Sequence, residues 1–129
     1  EGFAAQRQRL VDAIHDSGCR RLLMLSGDVH ASLYARLDRR GRNPIHGWIC
    51  SGLFWPTALM AFRWYRPMIR DHHTLRGLWK PSLGRVTVPG EVYSRDAFSR
   101  VSVDENGATL ALFDRDGNPV PDIGTEIRW

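Results

Sequence analysis

The sequence predicts an α/β domain in which helices pack on a mostly β core that closes with a C-terminal β-hairpin. Three observations predict it. Residues 6–16 place Leu10, Val11 and Ile14 at helical spacing and run straight into the apolar stretch RRLLMLS at 20–26, the helix-loop-strand half of an α/β unit. Residues 32–37 and 45–51, SLYARL and IHGWICS, read as two strands joined by a polar connection. Near the end, FSRVSVD at 98–104 and ATLALFD at 108–114 alternate apolar with polar on either side of ENG, the pattern of a hairpin with one face buried.

Each element has a local reason. The first helix ends at Asp16-Ser17-Gly18, where Gly18 can adopt the left-handed cap conformation. Residues 20–26 are apolar at successive positions, which predicts a strand covered on both faces. The run from Asp38 to Asn43 is polar and contains Gly41, as a strand connection requires. Pro56 stands where a helix could begin, and Leu59, Met60, Phe62 and Trp64 continue it until Pro67 stops it. Residues 67–94 carry Gly77, Pro81, Gly84, Pro89 and Gly90 and read as one long irregular segment. DRDGNP at 114–119 is a further turn.

Composition narrows the class. The 129 residues are 43% hydrophobic and 25% charged, which suits one globular domain spanning 1–129. The net charge is +4, and all but Lys80 of the 18 basic residues are arginine, a weak lean toward phosphate-bearing partners. Cys19 and Cys50 are too few for a disulfide framework, and each lies beside an apolar segment where a small buried thiol would fit. The longest apolar run, LFWPTALMAF at 53–62, is well short of the roughly 20 residues of a membrane span. No transmembrane segment is expected. The chain opens on Glu1 without an initiator Met or a charged-then-apolar leader, so it is expected to be part of something longer or to have a processed end.

The stretch LLMLSGDVHAS at 22–32 carries the chemistry. The apolar strand ends in Gly27-Asp28-Val29-His30, delivering a carboxylate and an imidazole just past a strand's carboxyl end, where α/β sheets bind ligands. Asp28 and His30 suit Fe, Mn or Zn, and the carboxylate suits Ca. The plainer reading has Asp28 bonding turn amides and His30 as a half-buried ring. Two side chains are in any case fewer than the three protein ligands a catalytic metal takes.

The string RQRLVDAIHDSGCRRLLMLSGDVHASLYARL at 7–37, with CSGL at 50–53, resembles the C-terminal part of metallophosphoesterases of the alkaline phosphatase D type, the PhoD-like branch of the calcineurin-like superfamily. The resemblance covers about the first 50 residues and is architectural beyond them. It implies an α+β sandwich, two β-sheets between helices, with a two-metal site at the strand ends. By it, His30 is a metal ligand and Asp28 is a ligand or a group that orients one; both are the expected catalytic residues. The implied cofactors are two or more divalent or trivalent ions, drawn from Fe, Mn, Zn or Ca. The implied substrate is a phosphate ester. The superfamily also uses Asp-x-His, Gly-Asp-x-x-Asp, Gly-Asn-His-Asp/Glu and a further His motif upstream of the final one, and none stands upstream of Gly27 here. The chain is therefore expected to be a C-terminal fragment, inactive alone, whose N-terminal remainder completes the site.

Other candidates are weaker. Asp71-His72-His73 is dense in donors, but adjacent histidines point apart, which favours an exposed loop. His46 lies between Ile45 and Gly47 in a strand and is expected to be a core or hairpin residue. Arg63, Trp64, Tyr65 and Arg66 could stack on bases or hold phosphate, but at helical spacing Trp64 packs inward and the arginines are solvated. The run at 53–62 could form an apolar lid, and a core helix is the simpler expectation. No nucleic acid partner is expected. The alternative to the enzyme is a noncatalytic α/β module that keeps the phosphatase-like core and binds an acidic partner through its arginines. A small nucleic-acid-binding domain is the third reading.

Overall fold

The computed structural model describes residues 3–27, 31–50 and 84–129. These residues form one helix and seven strands: α1 (Ala4–Asp16), β1 (Leu23–Ser26), β2 (Leu33–Asp38), β3 (Ile45–Ile49), β4 (Arg85–Thr87), β5 (Ala97–Val103), β6 (Gly107–Asp114) and β7 (Thr125–Arg128). The predicted class holds at the level of a mixed α+β fold, mostly strand.

Two sheets result. The first has the order β1-β3-β2-β4, with β1 parallel to β3 and β2 antiparallel to both β3 and β4; the second is the antiparallel meander β5-β6-β7. Side-chain alternation decides what each face of the first sheet covers. Leu37 and Ile45 pair across β2 and β3 and pack with Val11 of α1, joined by Ile14. Tyr34 and Trp48, also cross-strand partners, point the other way and join Ala108, Leu110 and Leu112 of β6 with Ile127 of β7. Helix, first sheet and second sheet thus form three layers, and the main core lies between the sheets. Each leucine at the centre of that core, almost wholly removed from water, contributes roughly 1.5–3 kcal/mol.

Local chemistry explains the joints. Gly18 takes a φ of 69° after α1, as its position predicts, and the Ser17 hydroxyl donates to the Ile14 carbonyl at 2.7 Å. Arg39 and Arg42, in the β2–β3 connection, pair with Asp12 and Asp16 and hold the helix against the sheet. In the 114–119 turn, the Asp114 carboxylate accepts from the amides of Asp116 and Asn118, and Gly117 has a φ of 86°. A bridge between Ser32 and Tyr93 pins the start of β2 to the segment before β5.

Three expectations are corrected. β1 is not covered on both faces: it is an edge strand of the described sheet, with Met24 42% and Leu25 61% exposed. Its run of apolar residues follows the chain's composition, whereas burial depends on neighbours that local sequence does not specify. Cys19 is exposed instead of buried, because it lies in the turn after α1, outside the layers; Cys50 is half-buried. The segment at 67–94 is not irregular throughout, since β4 pairs with β2 through Leu37 and Val86. The predicted helix beginning at Pro56 lies outside the described residues.

Candidate functional site

The carboxyl ends of β1 and β3 lie flush. Ser26 pairs with Ile49 in the parallel register, and the Cys50 amide donates to the Ser26 carbonyl at 3.0 Å. Gly27 and Cys50 therefore leave the sheet side by side, at the end where a parallel pair presents its loops. Gly27 and Ala31, on either side of the Asp28-Val29-His30 stretch, stand on opposite sides of β3's carboxyl end, because β1 and β2 flank β3. Ala31 and Ser32 are buried, and Ser32 exchanges both backbone hydrogen bonds with Tyr93, at 2.6 and 2.9 Å. The chain entering β2 is thus anchored within two residues of His30. Asp28 and His30 themselves lie outside the described residues.

A groove of about 310 Å³ opens beside Gly27. The first sheet supplies Leu25, Ser26, Trp48 and Cys50 to its wall, and β5 supplies Ser99 and Val101. Trp48 is fully buried and its indole Nε1 has no hydrogen-bond partner among the described residues. Sequence reading did not find this groove. Ser99 and Val101 lie some 50 positions from Trp48 along the chain, and only the packing of the two sheets brings them together.

His46 is a core residue, as its place in β3 predicts. Its Nδ1 stands 2.6 Å from the Tyr34 hydroxyl, and its ring meets Trp129 edge-on. Burial, and then the nearby Arg36, hold the imidazole below the usual histidine range, so it is neutral near pH 7. Its ring is thus engaged with Tyr34 inside the core. Among the described residues, no three His, Cys, Asp or Glu side chains converge as a metal site, and no helix is long and apolar enough to cross a membrane. Asp71-His72-His73, the aromatic and arginine residues at 63–66 and the apolar run at 53–62 lie outside the described residues.

Comparison with family models, curated proteins and solved structures gives no match.

Proposed function

We propose that this chain contributes one edge of the metal centre of a phosphoesterase, with His30 as a metal ligand and Asp28 as a ligand or as the carboxylate that orients one. The observation that carries the reading is the flush pairing of β1 and β3, with Gly27 emerging at their common carboxyl end. The resemblance of residues 7–37 to PhoD-like metallophosphoesterases supports the same assignment. The donor set fits as part of a site: one carboxylate and one imidazole suit Fe, Mn or Zn, and further ligands must come from elsewhere, in this reading from an N-terminal remainder of the enzyme. A pair of such cations supplies Lewis acidity toward phosphoryl oxygens and lowers the pKa of a water nucleophile.

The chain's own residues have separate tasks. Gly27 lets the backbone turn without a side chain in the way of the substrate. The buried Ala31 and Ser32 fix the far end of the loop, and the groove beside Gly27 would receive the alcohol portion of the ester against Leu25 and Val101. In the complete enzyme, His30→Ala abolishes metal-dependent hydrolysis of an aryl phosphate and leaves the melting temperature unchanged. Wild-type turnover in that variant overturns the proposal.

One observation favours the noncatalytic alternative. β1, an edge strand among the described residues, has Met24 and Leu25 exposed, and an exposed edge is the kind of surface that a partner strand covers. Chelation separates the two readings, because an interaction module keeps its partner in the presence of a chelator.

A further inference from the structure

We propose that the cavity at the C-terminal end of α1 is a phosphate-binding site, taking a small phosphomonoester or inorganic phosphate between Arg20, Arg42 and His15. The cavity measures about 380 Å³ and is walled by the end of α1, the turn after it and the β2–β3 connection. It lies at the amino ends of β1 and β3, where Leu23 pairs with His46. Gly27 belongs to the opposite end of the sheet. The two sites are therefore independent.

A helix C-terminus ordinarily repels an anion, because its last carbonyls are unpaired and carry partial negative charge. Here three of those carbonyls are already occupied. The Ala13 carbonyl accepts from the Ser17 amide, the Ile14 carbonyl from the Ser17 hydroxyl, and the His15 carbonyl from Gly18 N–H and from Nη1 of Arg42 at 3.3 Å. Arg42 also donates through Nη2 to Asp16 at 2.9 Å. These two bonds fix its guanidinium at the cavity wall and leave further N–H groups unused.

Arg20 and His15 complete the wall. Arg20 lines the cavity and has no carboxylate partner among the described residues. His15 also lines it and is 8% exposed. His15 and Cys19 share the wall and would on their own suit a soft metal ion. Arg20 and Arg42 place positive charge beside them, which disfavours a cation and favours an anion.

The volume points to the kind of ligand. It falls within the range of roughly 300–1,000 Å³ typical of small-molecule pockets and exceeds what a bare phosphate fills, leaving room for a small esterified group. Gly18 and Gly41, both at positive φ and with open space where a Cβ would stand, keep two sides of the cavity clear.

Calorimetric titration of the chain with inorganic phosphate and with AMP, in the presence of a chelator, tests the site. The expected result is saturable binding that weakens with salt, is about tenfold weaker in Arg20→Gln, is unaffected by His30→Ala, and shifts the His15 side-chain nitrogen resonances. Arg20 is exposed and has no ion-pair partner among the described residues, so its replacement leaves the fold intact. Tighter binding of AMP supports the site and identifies a phosphomonoester as the ligand; equal binding supports it with the phosphate group alone recognised. No saturable binding at millimolar phosphate overturns the proposal, as does binding that survives Arg20→Gln and disappears in His30→Ala.

Discussion

The Tyr34 hydroxyl stands 2.6 Å from Nδ1 of His46 inside the core that joins the two sheets. With Nδ1 accepting, the imidazole is neutral and carries its proton on Nε2. Burial is the leading cause of both shifts: it lowers the pKa of His46 and raises that of Tyr34. The pair is thus built for the range in which both groups are uncharged.

The first prediction follows from the sign of those shifts. Below about pH 6.5 the unfolded chain binds a proton at His46 that the folded chain resists, so stability falls as pH drops from there toward the lowered folded value. His15, lowered by burial and then by Arg39 and Arg42, adds to the same acid loss. Above about pH 10 the unfolded chain releases the Tyr34 proton first, and stability falls again. Denaturant melts across pH should show a plateau between these limits. A flat profile through the acid limb contradicts the assignment.

Tyr34→Phe leaves Nδ1 of His46 buried without its donor. The expected cost is about 1–3 kcal/mol, with loss of the Tyr34 contribution to the alkaline limb, both read from the same melts.

Leu110 lies at the centre of the inter-sheet core and is 1% exposed. Leu110→Ala should cost about 2–5 kcal/mol, the range for a large-to-small change at a site that relaxes only partly. A loss below that range in chemical denaturation would mean that the two sheets are not held by this contact.

Glycines separate steric need from conformational need. A Cβ on Gly107 would stand 2.0 Å from the Ile127 carbonyl oxygen, a backbone atom of the paired strand, whereas one on Gly41 would meet nothing within 4 Å. Gly41→Ala carries only the strain of its φ of 72°, about 1–2 kcal/mol. Gly107→Ala should cost more, because β7 must move away from β6. Thermal unfolding of the two variants reads the order directly.

Much of the scaffold was legible because its signals are local. Val11 and Ile14 mark the buried face of α1, although Leu10, at the same helical spacing, is 53% exposed; Gly18 marks its end, and the ENG turn between two alternating runs marks β5 and β6. Two short strands were missed. The TEIR sequence of β7 has one apolar residue, Ile127, and RVT of β4 sits among glycines and prolines; each is a strand because a neighbour pairs with it. β1 shows the reverse error: its apolar residues suggested cover on both faces, but Met24 and Leu25 face solvent. At the candidate site, Gly27 and its place after a strand were readable from the chain. The groove formed with Ser99 and Val101, and the arginine-lined cavity behind α1, depend on contacts between distant segments and have no local signature.

Titration of the isotopically labelled chain with Mn²⁺, followed by paramagnetic broadening of its amide resonances, places the metal ligand within the fold even when affinity is low. Broadening that centres on Gly27, Ala31 and Cys50, and that vanishes in His30→Ala, is the predicted result. Broadening centred elsewhere, or unchanged by His30→Ala, would contradict a metal centre at the carboxyl end of β1.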